Sequence, residues 1–452
     1  MGKLIAVYPV FSSLAALGSR RVLPLLETWY AAYKNSPACR SITVFPDFPP
    51  VKNAESAKNG PNEIDAFFEE VALAASAKYR GDFLVELTLP TRVYRASREL
   101  PKIYFPNSAD PPLGQSRAFL SRQREANDLY AKLFFVNVLI NQLRGDKARK
   151  KAAREELMKA EGGELFYTAG DLSLSSPVQR RHAYKSILNA ERITREKKFS
   201  PSLLTFDFDF DHEAEYLFQD KNINAYVSRL GASLFELDYL PRGLNFLDTF
   251  ETAVPFRRRS AFVDRFFAAD YSPVSRAFWE LPADGPGAYD VSHTDRQKLK
   301  AVFTLGARKQ LPFGNFEIKK SYSLEKNVLF LNYEITNRGP ARELCAFVPQ
   351  CDFALAPGET LLLKKTGNEE ESVPADGAGE TRRLLSVVMQ DHKNGLGLEL
   401  AAENPCDLFY AVTGGQRSQS LCLFPLFRLS LEAGESWNNR FVLSVVSVKR
   451  KS

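Results

Sequence analysis

The carboxylates with the most suggestive spacing lie in mid-chain. In Thr205-Phe206-Asp207-Phe208-Asp209-Phe210-Asp211-His212, phenylalanine alternates with aspartate. That period of two puts rings on one face of a strand and carboxylates on the other. Glu236 and Asp238 repeat the arrangement in Ser233-Leu234-Phe235-Glu236-Leu237-Asp238-Tyr239 and share a strand face. Three aspartates at this spacing raise the question of calcium. An EF-hand loop needs flanking helices, a glycine at its sixth position and a glutamate at its twelfth, and a strand with interleaved phenylalanines offers none of these. A looser calcium site in a β-sheet protein and a solvated strand face remain as alternatives, and no metal site is assigned.

Other chemistries find less support. The sequence has no G-x-x-x-x-G-K-[ST] phosphate loop and no G-x-S-x-G elbow. Its four histidines, His182, His212, His293 and His392, form no pair at metal-ligand spacing and read as surface or capping residues. The five cysteines, Cys39, Cys345, Cys351, Cys406 and Cys422, are odd in number, widely spaced and without a C-x-x-C pair. Buried thiols in a reducing compartment fit better than a disulfide framework or a zinc site, so a cytoplasmic location is expected. No cofactor is expected either.

The elements that must position these residues fall into three stretches. A chain of 452 residues exceeds one ordinary core, so several domains are expected. Apolar and charged fractions of 44% and 25% are those of a globular protein. No stretch approaches the roughly 20 apolar residues that span a bilayer, and Met1–Pro9 lacks the apolar core of a signal peptide. The net charge of +6 is spread over short basic clusters without a recognisable nucleic-acid module, so neither nucleic acid nor membrane is an expected partner. Residues 1–110 alternate strand and helix patterns, as at Leu4–Val10, Arg21–Lys34 and Asn62–Lys78. Residues 111–200 predict three helices, over Phe119–Arg144, Lys147–Ala160 and Pro177–Glu196. Residues 201–452 carry about a dozen short strand patterns separated by turn residues, among them Phe316–Leu324, Val328–Thr336, Leu396–Leu400 and Leu408–Val412, and the polar Gly367–Glu380 reads as a long exposed loop.

The mid-chain signature resembles the start of the C-terminal β-sandwich of family 57 glycoside hydrolases, the 4-alpha-glucanotransferases and their amylase-like relatives. Further segments resemble the family in the right order. They are Ile103-Tyr104-Phe105-Pro106-Asn107-Ser108, Phe119-Leu120, Arg124-Glu125-Ala126-Asn127 with Lys132-Leu133, Arg181-His182-Ala183-Tyr184 with Ala190-Glu191, Asn245–Phe250, and Arg257–Arg259. The resemblance implies an α+β multidomain chain: a partial α/β barrel remnant (1–110), a helical middle domain (111–200) and a galactose-mutarotase-like antiparallel β-sandwich (201–452).

Family members transfer or hydrolyse α-glucan chains with retention, which takes two carboxyl groups about 5 Å apart. The resemblance places the family's nucleophilic glutamate upstream of every segment matched here, so Glu27 is not a candidate. The acid/base position corresponds to Val44-Phe45-Pro46-Asp47-Phe48-Pro49, where Asp47 survives among prolines that remove backbone donors. Asp47 is thus a weak catalytic candidate. An aromatic-His-Gly loop near the sugar becomes Phe166-Tyr167-Thr168-Ala169-Gly170, without the histidine. Where the family has Tyr-His after its arginines this chain has Phe262-Val263-Asp264, and Gln350 stands where an acid is expected.

The expected protein is therefore a non-catalytic α-glucan-binding or accessory protein of carbohydrate metabolism. Phe166, Tyr167, Glu236 and Asp238 are its sugar-contact candidates: rings cover sugar C–H faces, and carboxylates accept from hydroxyls. For Glu236 and Asp238 the alternative is pairing with nearby arginines. Expected partners are an α-glucan or maltooligosaccharide and a carbohydrate enzyme. Two other readings stay open: an active glucanotransferase or amylase with the nucleophile supplied by a partner chain, and a structural or interaction protein without glycan affinity.

Overall fold

The computed structural model describes residues 5–7, 102–104, 124–161, 176–195, 199–249, 260–271, 287–307, 314–354, 360–413 and 420–450. The chain divides into two compact units, Met1–Phe119 and Leu120–Ser452. In the first, strands β1 (Ile5–Val7) and β2 (Lys102–Tyr104) pair in parallel.

The second unit opens with three helices, α1 (Arg124–Gln142), α2 (Lys147–Met158) and α3 (Pro177–Thr194). Leu129, Leu133, Val136 and Ile140 recur at helix spacing on α1 and bury against Ala153 and Leu157 of α2 and Ala183, Ile187 and Ala190 of α3. Asp146 caps α2 by accepting from the Arg149 amide at 2.9 Å. Pro177 starts α3, where a missing N–H costs nothing.

Seventeen strands follow: β3 (Ser202–Phe206), β4 (Glu215–Gln219), β5 (Ile223–Val227), β6 (Leu234–Tyr239), β7 (Leu244–Asn245), β8 (Ala261–Ala268), β9 (Asp290–Asp295), β10 (Lys300–Leu305), β11 (Phe316–Glu325), β12 (Val328–Asn337), β13 (Glu343–Ala354), β14 (Thr360–Lys365), β15 (Glu370–Pro374), β16 (Ala378–Asp391), β17 (Leu396–Thr413), β18 (Ser420–Leu431) and β19 (Ser436–Ser447). All their pairings are antiparallel, in one continuous sheet curled over a single core. One layer runs β3-β4-β5-β6-β8-β13-β18 and reaches the second half of β17. The other runs β9-β10-β11-β12-β19 and reaches the first half of β17. Leu234, Phe347 and Leu429 from the first layer meet Phe303, Ile318, Leu331 and Leu443 from the second in that core.

The bend between layers is written in β17. Ala402 is the last residue paired to β19 and Asp407 the first paired to β18. Pro405, with no amide proton to donate, sits in the gap. Pro349 and Pro425 likewise fall where the β13–β18 ladder is interrupted, between Phe347↔Phe427 and Cys351↔Leu423.

Two parts of the expected fold class are corrected. The helices are not a separate middle domain, because they share one compact unit with the strands. The physical reason is that α1 has a second apolar stripe, Ala131 and Phe135, which packs on Phe208, Leu217, Tyr226 and Phe235 of the sheet region. A barrel remnant is also not what is seen, since the described residues of the first unit comprise only the β1–β2 pair. The described residues make a mostly antiparallel sheet with three helices rather than an α+β multidomain chain. Gly367–Glu380 departs from the expected loop as well. It contains β15, paired to β14, and the start of β16, and most of its residues stay in solvent.

Candidate functional site

Helices α1 and α3 meet the sheet over β4–β7, and beside the apolar contact of Ala131 and Phe135 the junction holds a buried polar cluster. On α1, Lys132 lies between the two apolar stripes and so points into the junction, where none of its surface is exposed. On α3, Arg180, Tyr184 and Glu191 follow the helix repeat on the same buried face as Ile187 and Leu188. The sheet answers with two cross-strand pairs, Asn224↔Asp238 and Tyr226↔Glu236, from β5 and β6. Glu236 and Asp238 thus share a face, as their spacing predicts, and both are buried.

Lys132 Nζ is the hub. It donates to Asp238 Oδ2 at 2.5 Å and to the Tyr226 hydroxyl at 3.1 Å. It lies 3.4 Å from both Glu191 Oε2 and Glu236 Oε1. Arg195 pairs with Glu191 and donates to Asn224 Oδ1 at 2.5 Å. The Asn224 amide donates to Glu191 and, at 2.8 Å, to Asp238 Oδ2. Burial acts against the Lys132 ammonium, but Asp238, Glu191 and Glu236 together hold its pKa well above the ordinary value. Burial likewise acts against the Glu191 carboxylate, and Lys132 and Arg195 pull its pKa below the ordinary value. For Glu236, burial and the adjacent Asp238 push the carboxyl well up, against the pull of Lys132. The expected sugar contacts Glu236 and Asp238 therefore sit in a buried ion cluster whose central cation is a lysine rather than an arginine.

A surface cleft opens beside this cluster. Arg181 and Tyr184 of α3, Asn245 and Phe246 after β6, Asp248, and Asp391 at the end of β16 line it. Asn245 belongs to both places: its amide donates to Glu236 Oε2 at 3.0 Å, while its Oδ1 accepts from the Leu247 amide at 2.8 Å. Asp248 is held by Arg180 at 2.7 Å. Burial and nearby carboxylates, Glu236 first, keep the Tyr184 phenol protonated well beyond its usual range. The rim thus offers a cation, carboxylates, an amide and a ring edge within one concavity.

Two other polar clusters bear on the sequence expectations. In the core, Lys320 Nζ meets Asp264 Oδ2 at 2.9 Å and the carbonyls of Gly231 and Phe262 at 2.6 and 2.7 Å. Tyr333 donates to Asp264 at 2.7 Å, and Tyr289 donates to its other oxygen. This is where Phe262-Val263-Asp264 falls, with Val263↔Gln350 paired in the sheet. The Asp207–Asp211 run differs from its expected form. β3 stops at Phe206, and the aspartates enter a turn with positive φ at Phe210 (63°) and His212 (74°). The turn brings carboxylate oxygens of Asp207, Asp209 and Glu215 within 4.8 Å of one another, a donor set of the type that holds a hard cation. The signal missed in the sequence was Glu215, which the strand reading did not connect to the aspartates.

Phe166, Tyr167, Asp47 and Cys39 lie outside the described residues. The remaining cysteines, Cys345, Cys351, Cys406 and Cys422, are buried free thiols. His182, His212 and His293 are exposed, and His392 bonds Thr360 and the Lys449 carbonyl, both at 3.0 Å. Among the described residues, no helix is long and apolar enough to cross a membrane.

No protein-family model matches the chain, and no curated protein matches it. Among solved structures it is similar to the 4-alpha-glucanotransferase of Thermococcus litoralis, with 13% identity, a TM-score of 0.56, and coverage of 97% of this chain and 72% of that one. A galactose mutarotase-like protein from Lactobacillus casei gives 13% identity and a TM-score of 0.41 over 54% of this chain and 100% of its own. A galactose mutarotase related enzyme from Lactobacillus acidophilus gives 13% and 0.38 over 52% and 98%. The chain thus shares its fold with a 4-alpha-glucanotransferase; at that identity the likeness is one of fold.

Proposed function

We propose that this protein is a family 57-type relative that binds α-1,4-glucan chains without cleaving them. The cleft carries the reading. Phe246 supplies aromatic surface for sugar C–H groups, and the part-exposed Arg181 and Asp391 supply a donor and an acceptor for hydroxyls, while buried Tyr184, Asn245 and Asp248 form the floor. The fold shared with a glucanotransferase supports a glucan over other polyols. Retaining cleavage needs two carboxyl groups that reach the scissile bond. The adjacent carboxyls Glu236 and Asp238 are buried and turned to Lys132, so they serve the scaffold rather than a substrate.

Calorimetric titration with maltoheptaose tests binding. Heat of association is expected, and Phe246→Ala and Arg181→Ala should each weaken affinity about tenfold. Titration of the unmodified protein without heat would sink the reading. Incubation with maltoheptaose tests the second half: the chain-length distribution should stay unchanged, and redistribution or release of shorter sugars would establish an enzyme instead.

A further inference from the structure

Charges at the helix–sheet junction do not balance as drawn. Lys132 and Arg195 bring two positive charges, while Glu191, Glu236 and Asp238 bring three carboxyl groups, all buried. The neighbouring Arg180 is paired with Asp248, and Asp128 of α1 is a further carboxylate near Glu236 rather than a cation. Among the described residues, the other groups facing Glu236 and Asp238 from β5, β7 and α3 are Asn224, Tyr226, Asn245 and Tyr184, none of them cationic. A buried carboxylate without a counter-charge is strongly disfavoured.

Two oxygens are also left over. Glu236 Oε1 and Asp238 Oδ1 are buried and find no hydrogen-bond donor. Their carboxyl groups stand two residues apart on one face of β6, and both close on Lys132 Nζ, at 3.4 and 2.5 Å. One proton between them corrects both defects, forming an O–H···O⁻ bond and leaving two negative charges against two positive. We propose that Glu236 and Asp238 share a single proton at neutral pH and so form a pH-sensitive clasp that fastens β6 to α1 and α3.

The donors decide where the proton rests. Asp238 Oδ2 receives Lys132 at 2.5 Å and Asn224 at 2.8 Å, which favour its ionised form. Glu236 has one close donor, the Asn245 amide at 3.0 Å. Glu236 therefore carries the proton and donates it to Asp238; burial raises both carboxyls, and Glu236 the further. A folded-state pKa above the unfolded one means that the native protein holds a proton the unfolded chain releases. The clasp's stabilisation is then complete below the unfolded carboxylate range, about pH 4.3. It drains away as pH rises towards the folded value.

Glu236→Gln mimics the protonated form, since its amide can donate to Asp238 in place of the O–H. Infrared spectra of the unmodified protein near neutral pH should show a deuterium-sensitive band of a protonated carboxyl group that is absent in Glu236→Gln. Denaturant titrations should give an unfolding constant for the unmodified protein that rises, relative to Glu236→Gln, about tenfold per pH unit across the neutral range. The unmodified protein alone suffices if the variant does not fold, because absence of the band from its spectrum overturns the proposal. Persistence of the band in Glu236→Gln, or a ratio of unfolding constants flat with pH, overturns it as well.

Discussion

Lys132 at the helix–sheet junction and Lys320 inside the sheet are both fully buried, yet their surroundings differ in kind. Lys320 has one facing carboxylate, Asp264, and three backbone carbonyls, of Gly231, Ala232 and Phe262. Asp264 in turn is filled by Tyr289 and Tyr333, so the cluster closes with one charge of each sign. Lys132 faces three carboxyl groups, and two oxygens there lack donors. The pKa directions follow: burial wins at Lys320, whose ammonium falls below its ordinary value, whereas the acids win at Lys132. A cluster within one sheet can be closed by strand register alone. A cluster shared by two helices and three strands must also tolerate their relative placement, and surplus acid with a mobile proton allows that.

The comparison is broken most severely at Lys132. Lys132→Met removes the hub and leaves three acids facing one arginine, so we expect a loss of about 4 kcal/mol in urea unfolding near neutral pH. The loss should shrink as pH falls, because without the lysine the folded-state carboxyl pKa values climb further and protonation restores neutrality. An equal loss at acidic and neutral pH would mean that the lysine acts only through packing of its methylenes.

Asp264→Asn should cost less, about 3 kcal/mol. Lys320 loses its counter-charge there but already has a depressed pKa, so it can shed its proton and limit the penalty. A cost above that of Lys132→Met would show that the core cluster, not the junction, is the tighter of the two.

Much of the scaffold was legible in the sequence, and the reasons are local. The helices over Phe119–Arg144, Lys147–Ala160 and Pro177–Glu196 appear within a few residues of their observed ends, because apolar spacing and the Asp146 and Pro177 start signals are read within one turn. Alternation placed β11 and β12 for the same reason. The layer change was not legible: Leu396–Leu400 and Leu408–Val412 read as two strands, whereas β17 is one strand that changes partners at Pro405. Strand partners are long-range facts. At the site, the shared face of Glu236 and Asp238 followed from period two. Their partner Lys132, separated from Asp238 by 106 residues, did not. The cleft was beyond reach in the sequence because Arg181, Asn245 and Asp391 come from three distant elements.

The finest test of the comparison lies at Tyr333. Its hydroxyl donates to Asp264 Oδ1 at 2.7 Å, one of the bonds that close the core cluster, and burial with Asp264 keeps the phenol protonated well past its usual range. Tyr333→Phe removes only that donor and leaves the ring packed against Phe347 and Phe441. Asp264 keeps Lys320 and Tyr289, so its charge remains paired. The expected loss is that of one buried hydrogen bond to a charged acceptor, about 2 kcal/mol, and it should not vary with pH between mildly acidic and neutral conditions. A pH-dependent loss would place a labile proton in the Lys320 cluster too, and the contrast between a closed cluster and one with surplus acid would fail.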